Sequence, residues 1–315
     1  MKQKIVAIAV ILIIIAGITG VAIWQSLPHE PSPPIPFVIL LRGNVTTTDY
    51  SPEKIVSISP GATEILFALG LGEKVVGVDT YSDYPEETEN ITKVGSFSNP
   101  NIEKIAELNP DLILATGGVQ RSFVDKLEEL GWGVAARNYE EGVSSILSNI
   151  ILVGNFTGQE EVAETLVNDM NKRIKEITDK TQNLTIEERP RVYIEYYFSA
   201  KGYRSFGSTS LVNELIYMAG GNNVFADSPI QHPTTSDEQV MKADPEVIFI
   251  SKGAMAESCG LTPDLIRGRE GWDGISAVKN NKIFEIEESS LTRPGPRIVD
   301  ALETLAEYIH PELFS

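Results

Sequence analysis

The side chains that carry most enzyme chemistry are scarce in this chain. It contains three histidines, His29, His232 and His310, and one cysteine, Cys259. They are not accompanied by a G-x-S-x-G motif or a Ser/His/Asp set, and no Cys/His cluster has the spacing of zinc ligands. No glycine-rich phosphate loop follows a predicted strand. The sequence therefore predicts a protein that is not an enzyme, with no metal site and no cofactor of its own.

The net charge of the chain limits which kinds of macromolecule it is expected to bind. The chain has 26 Lys and Arg residues against 44 Asp and Glu residues, which gives a formal net charge of −18. Nucleic-acid binding needs a basic face that neutralises phosphates, so we predict no nucleic-acid partner. An acidic surface is compatible instead with docking onto a basic protein partner.

The start of the sequence carries a membrane signal. An uncharged apolar run, Ile5–Ile23, follows Lys2 and Lys4. About 20 apolar residues cross a bilayer as a helix, and preceding lysines favour a cytoplasmic N-terminus. We predict a single-pass transmembrane anchor over residues 1–24, with the folded body on the external side of the cell membrane; a cleaved signal peptide is the alternative. Residues 25–52 are predicted to be a linker, because LPHEPSPPIPF favours extended, unpaired backbone.

One pattern occurs twice in the rest of the chain. EKIAELNPDLILA spans Glu103–Ala115, and EQVMKADPEVIFI spans Glu238–Ile250. Each copy has a Glu, an amphipathic run, a proline and an acidic residue that leads into an apolar segment. The proline ends the helix, because the residue before it is pushed out of the α region. The short apolar segment suits a buried parallel strand, so each copy predicts helix, turn and strand.

These copies sit in two regions where strands and helices alternate, residues 53–155 and residues 183–315. Such alternation is typical of parallel α/β sheets. The matching order of elements in both regions, TEILFALGLG before the first copy and NELIYMAGG before the second, favours two separate lobes. The predicted fold class is α/β, with two Rossmann-like lobes joined by a single long helix.

The predicted joining helix covers residues 156–182. Thr157 and Glu160 have the spacing of a capping box. Five apolar residues behind them recur every three or four positions and form one stripe: Val162, Leu166, Met170, Ile174 and Ile177. Such a helix is either a surface element of one domain or a strut between two lobes, and the matching halves favour the strut.

Several longer runs resemble a known family. They are IVSISPGATEILFALGLGEKVVGVDTYSDYP, VGSFSNPNIEKIAELNPDLILA and RPGPRIVDALETLAEYI. From about Glu53 onward, the chain resembles the ligand-binding proteins of cobalamin and iron–siderophore ABC importers. The resemblance implies two lobes that hold a metal chelate, cobalamin or a ferric siderophore, in the cleft between them. It also implies a monomer that delivers the chelate to permease subunits, with limited lobe movement because a helix bends less easily than loops.

The resemblance gives the repeated pattern a docking role. In this family each lobe presents one glutamate to arginines of the permease, and Glu103 and Glu238 fall on those positions. A two-lobed body would then meet a twofold permease with one carboxylate for each permease subunit. The alternative is that both residues only stabilise their own helices, because the helix dipole favours acidic side chains in the first turn.

The resemblance also implies candidate ligand contacts. Tyr81 and Tyr84 in TYSDYP, and Phe97 in GSFSNP, match aromatic positions that cover the ligand in cobalamin binders. Flat aromatic faces suit a corrin or catecholate ring, although these residues could instead pack within their loops. In the second half, several aromatic residues surround a glycine-containing loop and cannot all face one core, and of these we predict ligand contacts for Tyr197 and Phe198.

One position departs from the family pattern. His232 stands where cobalamin binders often have a tryptophan, and it could cap the ligand, coordinate its metal or lie solvated in a loop. The departure leaves siderophores beside cobalamin as candidate ligands. Arg293 and Arg297 bracket the RPGPR turn, where arginines contact anionic ligands in some siderophore binders; for Arg297 a structural salt bridge is the alternative.

Two other binding roles stay open at this point. An anchored sensor or adhesion module could keep the same fold without an importer. A receptor for free zinc or manganese shares the architecture, but it would need several inward His and carboxylate ligands, and His232 is the one plausible histidine.

Overall fold

The structure is a computed structural model that describes four stretches of the chain: residues 35–42, 51–119, 121–138 and 141–314. They belong to one unit, Pro34–Ser315. The predicted anchor, residues 1–24, lies outside the described residues. Within those residues, no helix combines the length and the apolar character that a membrane crossing requires.

The first lobe is built on a six-stranded sheet with the order β4–β3–β2–β7–β1–β8. Its strands are β1 Ile35–Arg42, β2 Ile55–Ser57, β3 Val75–Val78, β4 Thr92–Lys93, β7 Leu112–Val119 and β8 Trp132–Asn138. A small antiparallel pair consists of β5 Gly95–Ser96 and β6 Asn99–Pro100. The helices are α1 Pro60–Ala68, α2 Ile102–Leu108, α3 Arg121–Glu129 and α4 Val143–Thr157, with 3-10 turns at Gly72–Lys74 and Glu86–Asn90. Strands β4, β3, β2 and β7 are parallel, as predicted.

Strand β1 lies within the segment that we predicted to be a linker. It runs antiparallel between β7 and β8, so the sheet is mixed where we predicted a parallel one. Val38, Ile39 and Leu40 of this strand are fully buried. The linker prediction for residues 25–52 was therefore wrong at β1, because the surrounding prolines obscured a run of aromatic and branched residues, FVILL, that suits a buried strand.

The second lobe has a parallel sheet with the order β12–β9–β14–β15 and an antiparallel sheet with the order β10–β11–β13. Its strands are β9 Arg191–Glu195, β10 Tyr197–Ser199, β11 Gly202–Arg204, β12 Asn222–Asn223, β13 Thr234–Thr235, β14 Val247–Lys252 and β15 Ile283–Glu287. Its helices are α6 Leu211–Met218, α7 Asp237–Ala243, α8 Ala254–Cys259, α9 Pro263–Arg267, α10 Ser276–Lys279, α11 Glu288–Thr292, α12 Ile298–Ile309 and α13 Pro311–Phe314. Short 3-10 turns occur at Ile186–Glu188 and Trp272–Gly274.

Both copies of the repeated pattern form the predicted helix, turn and strand. Helix α2 is followed by Asn109 and helix α7 by Asp244, and both residues adopt the left-handed conformation, with φ of 51° and 44°. Asn and Asp tolerate this conformation better than other residues with a side chain. The proline after each prevents further helix, so the chain turns directly into β7 or β14.

The acidic residue after each proline fixes the start of a neighbouring strand. The Asp111 carboxylate accepts hydrogen bonds from the backbone N–H groups of Glu53 and Lys54 at 2.8 and 2.9 Å, just before β2. The Glu246 carboxylate accepts one from the N–H of Arg191, the first residue of β9, at 3.0 Å. The repeat therefore sets the position of two strands in each lobe and not only of one.

The long joining helix is α5, Glu160–Thr181. Met170 and Ile177 of the predicted stripe are buried, but Val162 is exposed and Ala163 occupies the core in its place. The helix therefore begins with a different face toward the core than the sequence spacing indicated.

The predicted capping box at the start of this helix is wrong. Thr157 is the last residue of α4, and its hydroxyl donates a hydrogen bond back to the Val153 carbonyl at 2.7 Å. Gly158 follows in the left-handed conformation, with φ of 68°, and ends α4. The Thr157 side chain is thus already used by its own helix and does not cap Glu160.

One apolar core runs through both lobes. Alternate residues of a buried strand point to opposite faces of its sheet. On one face of the first sheet, Ile39 and Leu114 join a cluster that also contains Ile194 and Phe249 from the second sheet. The opposite face of each sheet packs on a core local to its lobe. The shared core also includes Met170 of α5, so the joining helix and both sheets pack as one body.

The role of β1 in the core is testable with Leu40→Ala. Leu40 is fully buried in the first-lobe core, so we expect the free energy of unfolding to fall by about 2–4 kcal/mol. Urea denaturation of the purified full-length chain measures the change. The control is Leu130→Ala, since Leu130 is 55% exposed and its loss should cost less than about 0.5 kcal/mol. Equal stability of the two variants would show that β1 does not contribute to the core.

Candidate functional site

The candidate site lies where the carboxyl ends of the parallel strands of the two sheets meet. Ligands of open α/β sheets bind outside these strand ends. In the first lobe, the loop Asp79–Pro85 follows β3; in the second, α11 and the turn Arg293–Arg297 follow β15. Ion pairs join that loop and helix α1 to that turn. The two lobes are therefore in direct contact at this edge, which we call the seam.

Buried hydroxyl groups fix the first-lobe loop at the seam. The Ser82 hydroxyl donates to one oxygen of the fully buried Asp79 at 2.5 Å, and the backbone N–H of Tyr81 donates to the other at 3.0 Å. Ser82 also shares a hydrogen bond of 2.7 Å with Thr63 of α1. Burial raises the pKa of Asp79, and the Ser82 and Tyr81 donors oppose that rise. These buried contacts fix the loop, and with it the backbone positions of Tyr81 and Tyr84.

Arg297 links the two lobes through a buried ion pair. Its guanidinium donates to the Glu64 carboxylate of α1 at 3.0 Å from Nε and 2.6 Å from Nη2, and the Glu64 side chain is only 2% exposed. The ring of Tyr84 covers the guanidinium at 3.9 Å from its centroid. Burial lowers the pKa of Arg297, whereas the hydrogen bonds to Glu64 and the negative charge of that carboxylate raise it. The net effect is a raised pKa. This contact is the structural salt bridge considered above, and a ligand contact for Arg297 stays a prediction.

The turn approaches helix α1 very closely beside this pair. A Cβ atom on Gly61 would lie 2.7 Å from the Pro294 carbonyl oxygen and 2.7 Å from the Thr116 hydroxyl. Backbone atoms cannot give way as a flexible side chain would. Glycine is therefore required at the start of α1 for the lobes to meet at the seam.

Arg293 makes a more exposed contact across the seam. It donates to Asp83 at 2.5 Å from Nη1 and 3.2 Å from Nη2, and Nη2 also lies 3.3 Å from the Tyr81 carbonyl oxygen. The side chain of Arg293 is 18% exposed, whereas that of Asp83 is 68% exposed. Burial alone would raise the pKa of Asp83, but the Arg293 guanidinium lowers it overall. Neither Glu64 nor Asp83 was identified from the sequence; the signals for them were the acidic residues in TEILFALG and TYSDYP.

Two aromatic rings are exposed on the first-lobe side of the seam. Tyr81 is 55% exposed and Phe97 is 37% exposed, and their ring centroids are 6.2 Å apart. The structure thus brings Tyr81, Tyr84 and Phe97 together with Arg293 and Arg297, as the sequence analysis expected of ligand contacts. Their ligand role itself stays a prediction.

The second-lobe candidates form a separate group. Tyr197 and Phe198 are neighbours in β10 and so point to opposite faces. Tyr197 packs against the core shared by the lobes. Phe198 packs into the local core, with the Arg269 guanidinium 5.6 Å from its ring centroid. Packing within its own lobe therefore leaves only part of the Phe198 side chain available to a ligand.

His232 lies against two aromatic rings of the second lobe. Its ring contacts Tyr196 and Phe206 edge-on, with centroids 5.6 and 5.5 Å away. Burial lowers the pKa of His232, and the positive charge of Arg204 lowers it further. Its Nδ1 atom is buried without a hydrogen-bond partner. The contacts favour a neutral imidazole packed on an aromatic wall over a fully solvated loop residue.

A buried polar network in the second lobe was not identified from the sequence. The Glu195 side chain is fully buried and pairs with Arg269 at 2.6 and 2.7 Å. Burial raises the pKa of Glu195, against the lowering effect of Arg269. The same guanidinium lies over the ring of Tyr203, 3.9 Å from its centroid, and the Tyr203 hydroxyl donates to Asp237 at 2.7 Å. In the sequence, the indication of this network is one acidic residue, Glu195, within the apolar strand VYIEYYF.

The two predicted docking glutamates occupy equivalent positions. Asn101 precedes α2 and Ser236 precedes α7, and each caps the backbone N–H three residues on. Glu103 and Glu238 are both the second residue of their helix, and both are exposed. The equivalence expected from the repeat is confirmed, whereas docking to a permease stays a prediction.

Among residues 51–119, 121–138 and 141–314, no group of three or more His, Cys, Asp or Glu side chains is placed to hold a metal ion.

Comparison with known proteins identifies relatives across most of the chain. The family model described as "Periplasmic binding protein" matches residues 55–289. An uncharacterised ABC transporter substrate-binding lipoprotein, YvrC of Bacillus subtilis, is 34% identical over 85% of this chain and 83% of its own length. A vitamin B12-binding protein of Vibrio cholerae is 33% identical over 86% of this chain and 94% of its own length. Among solved structures, the periplasmic heme-binding protein RhuT of Roseiflexus superimposes with a TM-score of 0.70, at 26% identity over 83% of this chain and 99% of RhuT.

The buried pair at the seam predicts the effect of Arg297→Met. The change leaves the Glu64 carboxylate buried without its main partner, so we expect the free energy of unfolding to fall by about 3 kcal/mol. Adding Glu64→Gln should recover part of that loss, because the buried charge is then removed. Urea denaturation measures both variants.

A surface ion pair provides the control for this prediction. Arg267 pairs with Asp264, whose side chain is 94% exposed, and Arg267→Met should cost less than about 1 kcal/mol. Equal losses for Arg267→Met and Arg297→Met would contradict a buried link between the lobes.

Proposed function

This chain belongs to the periplasmic binding protein family, and from that membership we propose that it captures a metal chelate outside the cytoplasm and delivers it to an ABC importer. The family consists of substrate-binding proteins and not of enzymes, so the bound molecule is cargo and not a cofactor. We further propose that the chelate binds at the seam, against the exposed rings of Tyr81 and Phe97, and that the run Ile5–Ile23 anchors the protein to the membrane. The transport energy then comes from the importer.

The observation that carries this proposal is the exposed aromatic pair beside two arginines. Large apolar rings at the surface cost free energy unless something covers them. Tyr81 is exposed on the loop that the lobe interior fixes. Phe97 is exposed on the β5–β6 hairpin, which is tied to that loop by a hydrogen bond of 2.8 Å from the Thr80 N–H to the Gly95 carbonyl, so neither ring can easily turn inward. A flat ring placed against them would bury apolar surface and gain aromatic contact without any rearrangement of the lobe.

The relatives support a macrocyclic metal chelate as the cargo. Vitamin B12 and heme, the ligands named for the relatives in Vibrio cholerae and Roseiflexus, both contain a flat ring around a metal ion. Ferric siderophores remain a further candidate class. We propose that Tyr81, Tyr84 and Phe97 cover one face of the cargo, that Tyr197 and Phe198 contribute from the second lobe, and that His232 caps it or coordinates its metal.

The form of His232 suits both of its proposed roles. Burial favours the neutral imidazole, and a neutral ring nitrogen can bind a metal whereas a protonated one cannot. Arg293 would meet an anionic group at the rim of the cargo directly, and Arg297 would add its positive charge while it stays paired with Glu64.

Delivery is proposed to use the two exposed glutamates. Glu103 and Glu238 start equivalent helices in the two lobes, so a monomer of this protein presents one carboxylate from each lobe to paired permease subunits. Such contacts act mainly on the association rate and orientation. The net charge of −18 adds a long-range attraction to a basic permease surface.

Calorimetric titration of the full-length chain tests the cargo. Cobalamin, cobinamide, hemin and a ferric siderophore are compared, and we expect at least one to bind. Phe97→Ala should weaken that binding by about 1–3 kcal/mol, because it removes an aromatic face from the ring, with little change in melting temperature. Tyr217→Ala is the control, since Tyr217 is also an exposed aromatic residue, at 61% against 37% for Phe97, but lies on α6 beside Arg189. Binding of no chelate by the folded protein would refute the proposed cargo.

Transport into vesicles that carry the partner importer tests the docking role. We expect Glu103→Lys with Glu238→Lys to reduce uptake strongly, because each change sets like charges against the permease, while the affinity for cargo is unaltered. Single variants should lose less than the double variant. Higher salt should weaken wild-type uptake, since the Debye length falls to about 3 Å at 1 M.

The matched control is the pair Glu107→Lys and Glu161→Lys, which places the same charge at other exposed helical positions. If this pair reduces uptake as much as the docking variants do, the two helix starts have no special role.

A further inference from the structure

The two arginines at the seam are not equivalent. Arg297 is bound to a carboxylate that is 2% exposed, so any ligand that displaced Glu64 would leave a buried charge without its partner, which is strongly unfavourable. Arg293 is bound mainly to Asp83, which is 68% exposed. Release of Asp83 would return its carboxylate to water at little cost. Of the two, only the partner of Arg293 is therefore readily exchanged.

Other contacts would hold Arg293 in place during such an exchange. Its Nη1 lies 3.8 Å from Glu64 and its Nη2 lies 3.3 Å from the Tyr81 carbonyl oxygen. Neither of these contacts involves Asp83. The guanidinium thus stays oriented by the seam while the carboxylate opposite it changes. A guanidinium fixed in this way is a good receptor for any carboxylate that can approach along two parallel N–H bonds.

The position of this receptor relative to the aromatic pair defines the shape of ligand that would use it. The residue whose carbonyl contacts Arg293 is Tyr81, and the ring of Tyr81 lies 6.2 Å from that of Phe97. A planar ring stacked on these two side chains would bring groups on its rim close to Arg293. Uncharged rim groups such as amides would gain little there, whereas a carboxylate would replace Asp83 charge for charge.

We infer that Asp83 occupies the place of a peripheral carboxylate of the cargo, and that the preferred cargo is a macrocyclic chelate that carries such carboxylates. Asp83 is then an internal competitor: a carboxylate of the cargo must displace it from Arg293, whereas a ring without carboxylates leaves the Asp83–Arg293 pair intact and gains nothing from Arg293. The inference rests on the proposed function, which it deepens by naming the chemical class of the cargo. Asp83 acts on specificity and does not need to touch the bound ring.

The test compares rings that differ in rim groups. Dicyanocobinamide carries amides where dicyanocobyrinic acid carries carboxylates on the same corrin, and hemin adds a second ring type with carboxylates. Affinities of the full-length chain are measured by calorimetry. Asp83→Ala should tighten binding of the carboxylate-bearing rings about fivefold, the equivalent of an ion pair worth about 1 kcal/mol, and leave dicyanocobinamide within about twofold. Arg293→Gln should weaken the carboxylate-bearing rings about tenfold or more.

Two further variants separate competition from a general charge effect. Glu87→Ala removes a charge from a neighbouring exposed position and should leave all three affinities unaltered. Asp83→Ala added to Arg293→Gln should have no effect on the carboxylate-bearing rings, because the competition requires Arg293.

The results distinguish this inference from the proposed function. If no chelate binds to the wild-type chain, the proposed function itself fails. If chelates bind but Asp83→Ala affects amide and carboxylate rings equally, or no more than Glu87→Ala does, the inference is overturned and the function stands. A wild-type chain that accepts dicyanocobinamide and rejects both carboxylate-bearing rings would also overturn it.

Discussion

The contact between the two lobes at the seam depends on one buried ion pair, between Arg297 and Glu64. Buried charges contribute little net stability, but any arrangement that separates them is strongly penalised. This pair therefore selects the geometry in which the Arg293–Arg297 turn lies on helix α1. That geometry holds Tyr84 against a guanidinium and places Arg293 opposite Asp83. The candidate site depends on this pair, whose residues are 233 positions apart in sequence, because their separation would leave a buried charge without its partner.

A similar constraint acts within the second lobe. The pair of Glu195 and Arg269 is almost wholly enclosed, and Tyr203 on the same guanidinium donates a hydrogen bond to Asp237. Asp237 also accepts from the Trp272 indole at 2.7 Å. It is the first residue of α7, directly before the exposed Glu238. Enclosed polar contacts thus define the orientation of the helix that carries a proposed docking residue.

Local pattern was enough to predict the frame of the protein but not its contacts. The repeated helix, turn and strand follow from proline position and apolar spacing, and both copies fold so. The linker prediction failed at β1 because it gave more weight to the surrounding prolines than to the five apolar residues FVILL. That run becomes a strand by pairing with distant strands, which a local pattern does not show. Thr157 was misplaced because a hydroxyl can serve either of two adjacent helices. The partners of Arg293 and Arg297 could not be predicted, since nothing in a local window links RPGPR to the acidic residues at positions 64 and 83.

The apolar core that continues from one sheet to the other has a consequence for how the protein signals that it is loaded. Hinging of the lobes would expose part of the core that they share, which costs free energy. Under the proposed function, the protein would then capture cargo without first populating a rare open state, and no affinity would be lost to that step. Empty and loaded forms would have nearly the same outline, so a partner that binds only the loaded form would have to sense the cargo itself, or the side chains at the seam, and not the shape of the whole.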